Sequence, residues 1–255
     1  MTILWVLLLV YGPANLFWLV VILMAVFALY EYYKMTIDIP IGARLVQTIA
    51  FAISPVLVSV FQRPDLFMPA LFVSLIGIIL LSLKYHKRFE HILLFLGFSS
   101  FGALYIGLCL AHLVLIRYLP HGSAWLLVLT AITAGGDTGA YYIGTHFGRR
   151  KLCPEISPGK TVEGAIGGIL AGSISAVAFG LLLLPEFNSL VIFVAALMLS
   201  LVSIIGDLAE SVIKRSAGVK DSGTLLFGHG GVLDRIDGML ITAPVLYYIL
   251  DLGLL

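Results

Sequence analysis

Asp207, Glu210, Ser211 and Lys214 stand at i, i+3, i+4 and i+7, so a helix through them carries two carboxylates, a hydroxyl and an ammonium group on one face. Asp234 and Asp237 repeat the i, i+3 spacing just before the last apolar run. Between the two pairs run Lys220-Asp221-Ser222-Gly223 and Phe227-Gly228-His229-Gly230-Gly231. Glycines there permit left-handed backbone angles and let amide groups approach a ligand closely. Carboxylate oxygens suit a hard cation such as magnesium, which binds through one or two carboxylates together with substrate phosphates. Lys214, Arg215 and Lys220 add positive charge for those phosphates. The chemistry this combination can perform is metal-assisted phosphoryl-type transfer. The plainer alternative is a solvated loop closed by its own salt bridges. Such a loop has no use for glycines framing a histidine, or for carboxylates one helical turn apart at both ends.

A second polar stretch covers residues 133 to 164. Asp137 sits in an otherwise apolar segment among Gly135, Gly136, Thr138 and Gly139. A carboxylate at membrane depth costs a few kcal/mol, so it faces a polar cavity, a cation or a neighbouring helix's hydroxyl or amide. Structural bonding and contact with metal or substrate both remain open for Asp137. Ser157-Pro158-Gly159-Lys160-Thr161 reads as a turn feeding a helix, with Ser157 or Thr161 as its cap. A helix start beside a lysine and hydroxyls is a natural anion site. The GxxxxGK[ST] spacing of a Walker loop is absent. Gly164, Gly168 and Gly172 recur every four residues, the spacing that lets membrane helices pack closely.

These groups need a scaffold, and composition states its class. Mean hydropathy is +1.09 over 255 residues and only 11% are charged, which places the chain among polytopic membrane proteins. Apolar segments fall at 3 to 11, 14 to 34, 44 to 61, 66 to 84, 92 to 117, 123 to 147, 162 to 184, 188 to 206 and 239 to 255. Most approach the ~20 residues a membrane-crossing helix requires. The first is too short to cross unaided before Gly12-Pro13, and no basic region marks it as a signal peptide. The expectation is an all-α, polytopic integral membrane helical bundle of about 8 to 9 transmembrane helices. It forms a single membrane domain over 1 to 255, with N-terminal spans in 1 to 117 and the catalytic half in about 123 to 255.

Alternate loops divide the basic residues unevenly. One side collects Lys34, Arg44, Lys84, Lys87, Arg88, Arg149, Arg150, Lys151, Lys160, Lys214, Arg215, Lys220 and Arg235; the other holds Arg63 and Arg117. The positive-inside tendency makes the first side cytoplasmic, and both polar stretches lie on it. A net charge of +1 gives no basic field for nucleic acid. Cys109 and Cys153 lack the spacing of a zinc site or disulfide framework.

Ser211-x-x-Lys214-Arg215, Lys220-Asp221-x-Gly223 and His229-Gly230-Gly231-x-x-Asp234-Arg235-x-Asp237 together resemble the signature of the phosphatidate cytidylyltransferase, or CDP-diacylglycerol synthase, family. The likeness runs over 27 positions with one departure. Asp137-Thr138-x-Ala140-Tyr141 and Ser157-Pro158-x-Lys160-Thr161-x-Glu163-Gly164 extend it over roughly the C-terminal half. The departure is Phe227, where the family has proline or glycine; it replaces a constrained turn residue by a bulky ring.

The resemblance implies an integral membrane enzyme, a homodimer, that joins CTP and phosphatidate to give CDP-diacylglycerol and pyrophosphate. It implies Asp207, Asp234 and Asp237 as ligands of Mg2+, with a second ion left open. Ser157, Lys160, Ser211, Lys214, Arg215, Lys220 and Arg235 would bind substrate, and Lys214, Asp221, His229 and Asp234 would be catalytic. Asp137 is a further polar site. A CTP-dependent lipid kinase, or a cytidylyltransferase for another lipid phosphate, would use the same cation and phosphate logic. An ion-coupled transporter would need interrupted helices in symmetric halves, which the sequence does not show.

Overall fold

The computed structural model describes residues 2–37, 42–88, 91–223 and 230–255. Its helices are α1 (Thr2–Tyr11), α2 (Ala14–Thr36), α3 (Ala43–Ala52), α4 (Ser54–Val58), α5 (Phe67–Lys84), α6 (Ile92–Gly102), α7 (Cys109–Tyr118), α8 (Gly122–Phe147), α9 (Val162–Leu183), α10 (Ser189–Ser216) and α11 (Leu233–Asp251). A two-stranded antiparallel hairpin, β1 (Lys151–Cys153) and β2 (Ser157–Thr161), lies between α8 and α9. The protein is a polytopic helical bundle. Among the described residues five helical stretches are long and apolar enough to cross a membrane, or six if the bent pair α3 and α4 counts as one span. α1 has only ten residues, the short first helix that Gly12-Pro13 predicts.

The chain forms two compact units that interleave in sequence. The first comprises 13–118 with 216–236, and so contains α2 to α7. Its bent span shows how an apolar segment tolerates a break. Pro55 has no N–H to give the carbonyl of Phe51, and the axis turns by 46° between Ala43–Ala52 and Ser54–Phe61. The hydroxyl of Ser74 donates to that same Phe51 carbonyl at 2.7 Å, and Ser54 donates to Ala70 at 2.8 Å. Side chains from α5 and α4 thus satisfy backbone groups that lipid could not. One uninterrupted segment over 44 to 61 was the expectation; the proline at the second residue of α4 divides it. The segment from α6 to α7 contains a π-helical stretch, Ala103–Leu108, where Gly107 lies against the carbonyl of Ala52.

The second unit comprises 1–12, 119–215 and 237–255. Its centre is the pairing of α8 with α9. A Cβ on Gly168 would stand 2.8 Å from the carbonyl oxygen of Gly136, and one on Gly172 equally close to that of Ile132. The glycine repeat on α9 therefore buys backbone contact with α8, as its spacing predicts. Gly168→Leu is expected to lower stability by about 3 kcal/mol, the upper range for overpacking a close interface. Thermal unfolding in detergent reads this as a fall in melting temperature.

The hairpin corrects the expected simple turn at Ser157 to Thr161. Those residues pair with β1, with Lys151 opposite Thr161 and Cys153 opposite Ser157. Thr161 does cap α9, its hydroxyl accepting the Gly164 N–H at 3.0 Å. Glu163, one residue into the helix, accepts from the N–H groups of Arg149 and Arg150 at 3.0 and 3.2 Å and so ties the hairpin's base to α9.

Candidate active site

At ~1.5 Å per residue the 28 residues of α10 extend about 42 Å, some 12 Å more than the hydrocarbon layer. That excess is long enough to carry Asp207 to Arg215 beyond the layer while the apolar run fills it. The helix predicted from the i, i+3, i+4, i+7 pattern continues through Ser216, with Glu210 and Ser211 on its buried face.

Two glycines let α11 approach this end of α10. A Cβ on Gly206 would stand 2.8 Å from the Asp237 carbonyl oxygen, and one on Gly238 would stand 2.7 Å from the Ser203 hydroxyl. Backbone contact at Gly206-Asp207 and Asp237-Gly238 brings the adjacent carboxylates together. Asp207, Glu210 and Asp237 each offer an oxygen, and these lie within 4.8 Å of one another. Three hard oxygen donors at that spacing fit a divalent cation such as magnesium.

Cationic side chains face the cluster. The Lys160 ammonium, carried on β2, pairs with Asp207, and the Lys214 ammonium lies 2.5 Å from Glu210. Glu210 is fully buried and the Lys214 side chain is 14% exposed. Asp207 and Lys160 also line a cavity of about 470 Å³ with Asp137, Thr133, Ser200 and Ser203. Apolar residues from α8, α9 and α10 form most of the remaining wall. The lining thus combines charged and hydroxyl groups with apolar side chains. Arg215 donates from Nε to the Ile156 carbonyl at 3.2 Å, which anchors the end of α10 to the hairpin turn.

The other sequence-predicted residues are placed as follows. Ser157 opens β2, and Ser211 is buried on α10 one residue beyond Glu210. Lys220, Asp221 and Arg235 are exposed. Asp234, in the first turn of α11, accepts from the Ser222 N–H at 3.0 Å, the Ser222 hydroxyl at 3.0 Å and the Gly231 N–H at 2.8 Å. Gly230 has φ +80°, the left-handed angle that the glycine loop predicts. His229 and Phe227 lie outside the described residues.

Two acidic groups outside the predicted metal set stand out. Glu210 joins Asp207 and Asp237, and its signal was present in the i+3 spacing from Asp207. Glu31, buried on α2, accepts hydrogen bonds from the segment leading into α11. A carboxylate inside an apolar run was its signal.

Over 157 residues the chain is 42% identical to a protein of Bacillus subtilis named phosphatidate cytidylyltransferase, covering 61% of this chain and 58% of that one. A phosphatidate cytidylyltransferase of Brucella suis is 46% identical over 155 residues, 59% of this chain and 56% of the other. The uncharacterized protein YnbB of Escherichia coli is 44% identical over 144 residues, 54% and 48% of the two chains. The chain thus spans about half the length of the curated relatives it matches. The sequence model of the cytidylyltransferase family matches residues 1–252, and the chain belongs to that family.

Proposed function

We propose that the protein is a phosphatidate cytidylyltransferase, which converts CTP and phosphatidate to CDP-diacylglycerol and pyrophosphate. The observation that carries this reading is the trio Asp207, Glu210 and Asp237, matched by Lys160 and Lys214, beside an apolar cavity at the polar end of α10. The names of the Bacillus and Brucella relatives support the choice of substrates.

Asp207 and Asp237, with Glu210, would hold Mg2+, and Asp234 on the first turn of α11 is the further ligand that the signature assigns. A bound divalent cation would offset the charge on triphosphate and on departing pyrophosphate. Lys160, Lys214, Arg215, Lys220 and Arg235 bind and orient the phosphates, with hydroxyls from Ser157 and Ser211. Asp221 and His229 are the further catalytic residues that the signature assigns.

The reaction forms a bond from a phosphatidate phosphate oxygen to the α-phosphorus of CTP and breaks the bond from that phosphorus to the bridging oxygen of the β-phosphate. The attacking oxygen is already anionic at neutral pH, so no general base has to remove a proton. The main obstacle is repulsion between two polyanions, and preorganised cationic side chains lower it. The site faces the cytoplasm in this reading, where CTP is supplied, while the acyl chains stay in lipid. A homodimer is the proposed assembly.

The test is purified protein given phosphatidate, Mg2+ and CTP labelled either in cytidine or at the γ-phosphate. Cytidine label should enter lipid, γ-label should appear in pyrophosphate, and chelation should stop both. Transfer of γ-label to lipid would make the protein a CTP-dependent kinase instead.

A further inference from the structure

Glu31 lies near the C-terminal end of α2, inside an apolar helix, and is 1% exposed. Burying a carboxylate there is costly unless donors surround it. The donors come from the segment that leads into α11. Val232 N–H donates to Oε1 at 3.0 Å and Leu233 N–H to Oε2 at 2.9 Å, while the one Ser222 hydroxyl proton is shared between Glu31 Oε2 at 3.2 Å and Asp234 Oδ2 at 3.0 Å. Val232 immediately precedes α11 and Leu233 opens it, so two of the N–H groups that a helix start leaves unpaired end on an anion, which also complements the helix dipole.

Two glycines of the signature are explained by the same carboxylate. A Cβ on Gly223 would stand 2.6 Å from Glu31 Oε1, and one on Gly231 would meet the Ser222 hydroxyl first and then Glu31 Oε2 at 2.5 Å. At these positions the absence of a side chain lets the backbone reach Glu31. Asp234 completes the arrangement, since it takes the Ser222 and Gly231 N–H groups. Glu31 and Asp234 therefore grip Ser222 on one side and Gly231 to Leu233 on the other, with the Ser222 hydroxyl between the two carboxylates.

We propose that Glu31 is a positioning residue: from the N-terminal half of the chain it fixes the start of α11, and with it the bearing of the Asp234 carboxylate for turnover. This rests on the cytidylyltransferase reading above. A reacting group misplaced by about 1 Å loses on the order of 100-fold in rate, and Glu31 reaches the backbone one and two residues before Asp234.

The test uses the purified full chain with Glu31→Gln, Glu31→Ala, Gly223→Ala and the double variant Glu31→Ala with Gly223→Ala. Glutamine keeps the shape but points an amide donor at backbone donors. Glu31→Gln is expected to speed hydrogen exchange at the Val232 and Leu233 amides. Its kcat should fall about 100-fold while KM for CTP stays within about threefold, because orientation rather than ground-state binding is lost. Gly223→Ala should impair turnover alone, yet add nothing in the Glu31→Ala background, since the new methyl group meets only Glu31 atoms among the nearest neighbours. The proposal is overturned by unchanged exchange at those amides, by faster exchange with parental kcat, or by a Gly223→Ala effect as large without Glu31 as with it. A parent chain inactive with CTP and phosphatidate overturns the reaction and with it the positioning for turnover. Exchange at Val232 and Leu233 still reads the grip of Glu31 itself, so the two failures are told apart.

Discussion

Asp237→Asn is expected to lower CDP-diacylglycerol formation by about 1,000-fold or more, with a melting temperature in detergent equal to or above that of the parent. Asparagine keeps the shape of aspartate and one oxygen to accept the Gly238 N–H, which now donates to Oδ1 at 2.7 Å. It removes the charge from a trio whose oxygens converge within 4.8 Å. Removing a single electrostatic contact to a reacting centre typically costs 100- to 1,000-fold, and on the reading proposed above Asp237 would also hold a cation whose charge stabilisation is worth several kcal/mol. Stability should move the other way. Three carboxylates brought this close repel one another, and neutralising one relieves the repulsion when no cation is bound. Activity and thermal unfolding, measured on one preparation with Mg2+ and with chelator, should therefore diverge. Near-parental turnover in Asp237→Asn would remove Asp237 from the cation site. A collapse of the melting temperature would instead make its role structural.

The site was readable where chemistry and helical periodicity coincide. Asp207, Glu210 and Lys214 share a face because the run of α10 continues unbroken through them, and the spacing alone shows it. The glycines of α9 were readable for the same reason, since a four-residue repeat on an apolar helix has one common packing use. Less was legible where the deciding partner is remote. Glu31 is more than 190 residues from the amides it accepts, and no local pattern links them. Gly223 and Gly231 could be assigned flexibility and close approach, but not the group they approach. The hairpin at Lys151 to Thr161 escaped because Ser-Pro-Gly-Lys-Thr has turn composition, and its strand pairing depends on β1 across a short loop. The break at Pro55 was visible as a proline. That Ser74 would satisfy the freed carbonyl of Phe51 needed the packing of α5.

Lys214→Met is expected to destabilise the protein by about 3 kcal/mol and to abolish turnover, and the double variant Glu210→Gln with Lys214→Met should recover most of the stability and none of the activity. The ammonium of Lys214 lies 2.5 Å from a carboxylate with no exposed surface, one helical turn away on α10. Water cannot replace it there, so one-sided removal falls in the range of about 3 to 5 kcal/mol found when a buried ion pair is broken. Removing both charges leaves two groups of similar size and one neutral amide to bury, which costs far less than an unpaired buried charge. Turnover asks something different of the pair. In the proposed reaction Glu210 contributes an oxygen to the trio and Lys214 contributes charge for the phosphates, so a neutral pair would fold but have neither. Chemical unfolding in detergent, run beside the labelled-CTP assay, separates the two demands. Equal stability of Lys214→Met and the parent would mean that Glu210 is held by other groups. Turnover by the double variant would remove both residues from the reaction. The expected pattern, stability restored without activity, identifies a buried ion pair maintained for the chemistry at the end of α10.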